Sequence, residues 1–147
     1  MVTIKKLSHS DAGDFKTLIQ NFKEVFEMGN FQLPSLDYLK KILQKPGFMV
    51  FVAEWEGKII GGLTAYTLDK YYSEKQQGYV YDLAVSVGHQ RKGVGRKLMY
   101  AVLDFCKAAG YDEVFVQAET IDKYALDFYR STPVTSEEDV RHFTYVL

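Results

Sequence analysis

Apolar residues recur along this chain with two different periods, and each change of period marks an element. "VTIKKLS" opens as a short strand. Ala12, Phe15, Leu18, Ile19 and Phe22 then fall at helical spacing, which predicts a helix from Asp11 to about Phe26. "EMGNFQLP" reads as a turn region holding Gly29 and Pro34. Ser35 suits a helix N-cap, and Leu36, Leu39, Ile42 and Leu43 form the stripe of a second helix that "QKPG" stops. "FMVFVAEWEGKIIGGLTAYTL" is two runs rich in β-branched and aromatic residues, divided at Glu56-Gly57, and predicts a hairpin. "DKYYSEKQQG" is polar and reads as a loop, and "YVYDLAV" returns to strand. Ser86 to Lys92 is again a loop. Leu98, Val102, Phe105 or Cys106, and Ala109 give a helical face ending at Gly110. "DEVFVQAE" reads as a strand, "DKYALDFYRS" as a short amphipathic helix, and "VRHFTYVL" as a closing strand.

The order β-α-α-β-β-β-α-β-α-β predicts an α/β protein of mixed type, a mixed sheet flanked by helices. The 147 residues, 47% hydrophobic, suffice for one core, and no interior linker divides them. A single domain over residues 1–147 is therefore expected. The formal net charge of -1 lacks the basic footprint of a nucleic-acid binder. It does not forbid a local acidic cleft for a cation. Cys106 is the only cysteine, so no intrachain disulfide forms and a reducing compartment fits. Its place on an apolar stripe reads as core. His9, His89 and His142 show no metal-ligand spacing, and no metal is expected. No basic-then-apolar leader is seen, nor a run of the roughly 18 apolar residues a membrane span needs. The expectation is cytoplasmic.

The densest chemical signal is "QRKGVG", between a strand and a helix. Gly93 and Gly95 let backbone N–H groups approach a ligand closely. The helix that follows aims its unpaired N–H groups and positive dipole end at the loop, a setting for phosphate or pyrophosphate. Gln90, Arg91, Lys92, Arg96 and Lys97 add donors and charge. Close helix–sheet packing would ask for the same glycines. A P-loop is excluded because Val94 and Gly95 follow Gly93 where "K[ST]" is required. A dinucleotide fingerprint is excluded because Leu98 stands at its third glycine.

Leu83-Ala84-Val85 followed by Gln90-Arg91-Lys92-Gly93-Val94-Gly95 resembles the GCN5-related N-acetyltransferases, whose pattern sets a strand ending in "LAV" before [RQ]xxGx[GA] and a helix. "YDLAVS", "VQAE" and "ALDFYR" resemble more narrowly the aminoglycoside 3-N-acetyltransferases of that superfamily. The resemblance implies the superfamily's acyl-coenzyme A N-acyltransferase fold and acetyl-CoA as donor. It implies a pantetheine arm along Leu83, Ala84 and Val85, and a pyrophosphate at Gln90, Arg91, Lys92, Gly93, Val94, Gly95 and Arg96. The acceptor implied is a small polycationic amine, an aminoglycoside taken at its 3-amino group, and the assembly implied is a homodimer. Other acceptors (a polyamine, a metabolite or a protein amine) suit the same loop, as does a non-catalytic acyl-CoA sensor. The chain departs from the common "RGxGxG" version by Gln90 for arginine and Arg91 for glycine.

Acetyl transfer needs a neutral amine and a protonated or stabilised leaving thiolate. Tyr129 occupies the family's tyrosine position and is the candidate acid, although Pro133 stands where that motif approaches a "GF" pair. Asp82 interrupts an apolar strand, where a buried carboxylate is costly unless used, and alternation places it opposite Tyr81 and Leu83. Glu119 ends the next strand. Asp122 either binds substrate or caps the following helix. Tyr81, Asp82, Glu119 and Asp122 are candidates for the acceptor, and Asp82 and Glu119 for the base. Glu24, Glu27 and Asp37 add negative charge from the first two helices, or are ordinary surface.

Overall fold

The computed structural model describes residues 1–147. Its elements are β1 (Thr3–Lys6), α1 (Ala12–Val25), α2 (Leu36–Leu43), β2 (Phe48–Trp55), β3 (Lys58–Lys70), β4 (Ser73–Val85), α3 (Val94–Ala108), β5 (Glu113–Val116) and α4 (Lys123–Arg130). They fall into two compact units, residues 1–116 and 117–147. In the first, five strands form one sheet in the order β1-β2-β3-β4-β5. Pairing is antiparallel from β1 through β4 and parallel between β4 and β5, which is the expected mixed sheet.

Alternation along β2 sends Val50 and Val52 to one face and Met49, Phe51 and Ala53 to the other, and all five are buried. α1 and α2 cover the first face with Phe15, Leu18, Phe22, Leu39 and Leu43. Leu18 lies so close to the sheet that a Cβ on Gly62 would sit 2.6 Å from its Cδ1. Glycine is what permits that approach. α3 covers the other face, with Phe105 edge-on to Phe51 at 6.1 Å and Cys106 fully buried. Burial pushes the Cys106 thiol up to about 11, so it is an inert core residue, as its stripe position implies.

Three elements differ from the sequence expectation. "DKYYSEKQQG" is not a loop. β3 runs to Lys70, β4 starts at Ser73, and Tyr71-Tyr72 make the turn. The arm lacks apolar alternation because polar pairs hold it: Gln76 Nε2 donates to Asp69 Oδ1 (2.8 Å), Gln77 Nε2 to Glu113 Oε1 (2.6 Å), and Lys70 pairs with Asp112 (2.5 Å). "DEVFVQAE" is strand only over Glu113–Val116. "VRHFTYVL" forms no strand, and Val140, Phe143, Tyr145, Val146 and Leu147 are exposed. β propensity yields a strand only where a ladder partner takes up the backbone groups.

In the second unit Asp122 caps α4, its carboxylate accepting from the Ala125 N–H (3.0 Å). Ser131 Oγ donates to the Phe128 carbonyl and Thr132 Oγ1 to that of Tyr129, both at 2.5 Å. These bonds close the helix end, and Pro133 follows where a helix cannot continue.

Candidate active site

The strands part between β4 and the edge strand β5. β5 pairs with β4 only over Gln77–Val80, while β4 continues to Val85. Tyr81 to Val85 therefore have no strand partner on the β5 side, and an extended amide chain can add there as a strand would. The β3–β4 register jumps from Thr64↔Asp82 to Ala65↔Val80, leaving Tyr81 as the extra residue of a β-bulge. Simple alternation, which set Tyr81 opposite Asp82, fails at that bulge. Both side chains line one cavity.

That cavity, about 470 Å³, lies between α1, α2 and the sheet. Phe15, Ile19 and Phe22 of α1 and its C-cap Phe26 line it, with Phe48, Thr64, Tyr66, Tyr81 and Asp82 from the strands. Asp82 is its one carboxylate, and burial raises it above the ordinary carboxylate value. The Tyr66 ring meets Phe48 at 5.2 Å and Tyr81 at 5.6 Å. Burial, then the neighbouring Tyr81 and Asp82, raises the Tyr66 hydroxyl above its usual value, so it stays protonated as a donor. An amine entering here meets aromatic faces that attract cations. It then meets one carboxylate that takes up a proton more readily than an exposed one would.

Beyond the unpaired strand lies the basic loop. Gly93, at φ +81°, is the N-cap of α3, with open space where a Cβ would stand. The first N–H groups of the 15-residue α3 face outward beside Arg91, Lys92 and Arg96, all exposed. This is an anion seat of the kind a pyrophosphate takes. Gln90 acts from behind that seat. Its Nε2 donates to the Val85 carbonyl at 2.9 Å, tying the loop to the end of β4. Arg91 stands at φ +60°, in the left-handed region that favours glycine. That is a physical reason for the glycine common at this position in the family pattern. Arg91→Gly is accordingly expected to relieve strain of about 1 kcal/mol, partly offset by glycine's freer unfolded chain. Melting should occur at equal or higher temperature, while coenzyme titration shows weaker binding from the lost charge.

The structure brings Tyr81 and Asp82 together with the strand residues Leu83, Ala84 and Val85. It does not bring Glu24 and Glu27 to the aromatic cavity. They line a separate depression with Gln20, Lys23, Gly29 and Leu33. Asp37 is exposed in the first turn of α2. In the second unit Asp122 is the α4 cap, Glu119 is exposed, and Tyr129 is half-buried on α4 with Phe128 edge-on at 5.0 Å. Thr64 and Tyr66 went unnoticed in the sequence. The alternation of "GGLTAYTL" sets both on the Gly62 face, and that signal would have found them.

Two buried polar atoms lack a partner: Asn21 Oδ1 on α1 and His89 Nδ1 at the start of the basic loop. Both adjoin Ser86, directly after β4. Asn21 Nδ2 donates to the Ser86 hydroxyl, and the His89 N–H to the Ser86 carbonyl. Buried polar atoms of this kind call for a partner, whether a bound group or a water. With the unpaired strand and the anion seat, they fit an acyl-coenzyme A. No three His, Cys, Asp or Glu side chains meet as metal ligands. No helix is long and apolar enough to cross a membrane.

A sequence profile of the acetyltransferase (GNAT) family matches residues 15–132. A solved aminoglycoside acetyltransferase, meta-AAC0020 from an uncultured soil metagenomic sample, in complex with sisomicin, is 51% identical. It superposes with a TM-score of 0.98 over 99% of this chain and 96% of its own. A second, HMB0005, also from an uncultured soil metagenomic sample, is 31% identical with a TM-score of 0.93 over 100% and 99%. Human N-acetyltransferase 8 is 32% identical over 95 residues, 65% of this chain. The match spans only 42% of that longer relative.

Proposed function

Because this chain belongs to the acetyltransferase (GNAT) family, we propose that it transfers acetyl from acetyl-CoA to an amine of an aminoglycoside, at the 3-amino group. The observation that carries the reading is the cavity in which Asp82 sits at the edge of an unpaired strand, joined to 51% identity with an aminoglycoside acetyltransferase. Aromatic faces suit the apolar sides of sugar and cyclitol rings and the ammonium groups they carry.

The coenzyme supplies the acetyl thioester. Leu83 to Val85 pair with its arm, and the N–H groups from Arg91 to Arg96 hold its pyrophosphate. Asp82 takes the proton from the acceptor nitrogen, directly or through one water. The new N–C bond forms as the C–S bond breaks. Tyr129 gives its phenolic proton to the departing sulfur and regains one from solvent. Cys106 takes no part. Glu119 and Asp122 serve as further ammonium contacts, with Asp122 doing so only at the expense of its cap.

The test is an acetyl-CoA assay over a panel of aminoglycosides and other amines, with product mapping. Turnover of aminoglycosides at the 3-amino group is expected. Turnover of another amine alone would replace the acceptor, and coenzyme binding with no transfer to any amine would make the chain a sensor. The reading extends to a cytoplasmic homodimer with the segment 140–147, exposed and apolar, at the interface. Removal of residues 140–147 is expected to turn a dimer into a monomer in light scattering. An unaltered chain that is monomeric would end that part of the reading.

A further inference from the structure

We propose that Asn21 binds the coenzyme, the end of its side-chain amide that Ser86 leaves unpaired hydrogen-bonding an amide of the pantetheine arm. This rests on the coenzyme reading above. Asn21 follows Leu18 by three residues on α1, and Leu18 is the side chain seated on Gly62. Alternation along β4 sends Asp82 and Ala84 to the face α1 covers, and Ser86 continues that column. The Asn21 amide meets the Ser86 hydroxyl there, one residue past the strand segment that lacks a partner.

An asparagine amide carries donors at one end and an acceptor at the other. The Ser86 hydroxyl, which can accept or donate, engages one end. The other end, Oδ1 in this structure, is buried with no partner. Buried polar atoms are rarely left unpaired, so that end calls for a partner. The coenzyme's phosphates are acceptors and answer only an N–H. The two amides of its pantetheine arm carry both N–H and C=O and answer either end of the asparagine. With Ser86 one residue past the unpaired strand, the chemistry favours the arm over the phosphates.

The consequence is a clasp between donor and acceptor sites. α1 walls the aromatic cavity through Phe15, Ile19 and Phe22, and the same helix carries Asn21 to the coenzyme strand. Seating the arm fixes the wall against which the acceptor packs.

The experiment titrates the unaltered chain and Asn21→Ala with CoA and with adenosine 3′,5′-bisphosphate, which lacks the arm. Trp55, the sole tryptophan, lies 5.2 Å from the His89 ring, tilted at 59°, and reports binding by fluorescence. CoA is expected to bind the variant about fivefold to tenfold more weakly, the loss of one net hydrogen bond, while the bisphosphate stays within about twofold. Equal weakening of both ligands would overturn the proposal, Asn21 then only shaping the loop. Unchanged CoA affinity would also overturn it, water then being the missing partner. Should the variant fail to fold, the Asn21 side-chain amide resonances of the unaltered chain decide. They must shift with CoA and not with the bisphosphate, and an identical response to both overturns the assignment. An unaltered chain that binds neither ligand refutes the coenzyme reading and this one together, and shows it before any substitution is made.

Discussion

Asp82→Asn should lower kcat/KM by about 10²–10⁴, the range a positioned general base supplies. Coenzyme affinity should be unchanged, since no coenzyme contact is assigned to the carboxylate. The substitution keeps shape and removes only the ability to take a proton. Burial raises Asp82 above the ordinary carboxylate value, so in the unaltered enzyme the limb of activity that rises with pH lies above that value. The limb should vanish in the variant. The sign for stability is opposite to that for activity. A folded-state pKa raised above the unfolded one means the ionised carboxylate is disfavoured in the fold. Its contribution is fully present below the unfolded value of about 3.9 and is lost as pH rises through the folded value. At neutral pH the ionised group therefore costs stability, and Asn removes that cost. The variant should melt no lower than the parent at pH 7, with the difference disappearing in acid. A rise in KM alone, with kcat preserved, would make Asp82 an ammonium contact and not a base.

The proposed coenzyme half of this site is legible in the sequence because its chemistry is local. Leu83-Ala84-Val85, the glycine pair and the helix after them lie within about one strand, loop and helix, and short-range spacing specifies them. Spacing does not show every contact even there: Gln90 Nε2 holds the Val85 carbonyl and ties the loop to the end of β4. The acceptor half depends on register, which spacing along one strand does not carry. The bulge at Tyr81 turns two consecutive side chains toward one cavity, and no glycine or proline in "VYDL" announces it. The acidic residues near the end of α1 show the same limit. Glu24 sits on a face that a helical wheel separates from Phe15 and Phe22, and Glu27 lies past the helix end at φ +52°, but only the packed chain shows which side meets the cavity. The chain's polar hairpin arm is hidden for another reason: its strands are held by Gln–Asp, Gln–Glu and Lys–Asp pairs instead of apolar alternation.

Tyr129→Phe should lower kcat by about 10- to 100-fold while leaving the coenzyme Kd and the acceptor KM nearly unchanged, a loss at the low end of general acid catalysis. Phenylalanine keeps the ring against Phe128 and removes only the hydroxyl. The departure at Pro133 does not displace Tyr129 from its helix. Asp122 caps the start of α4, Ser131 and Thr132 close its end, and the proline falls beyond them. The helix should therefore melt as before, which separates a chemical defect from a structural one. A phenol hydroxyl is a proton donor and can serve a thiolate as it leaves. That role makes a second, sharper demand. An acetyl donor whose leaving group is more acidic than the coenzyme thiol needs less help from an acid. With such a donor the variant's defect should shrink toward unity, whereas a packing or positioning role predicts the same defect with every donor. Full turnover by Tyr129→Phe on acetyl-CoA would leave protonation of the sulfur to solvent, and Asp82 as the one side chain assigned to move a proton.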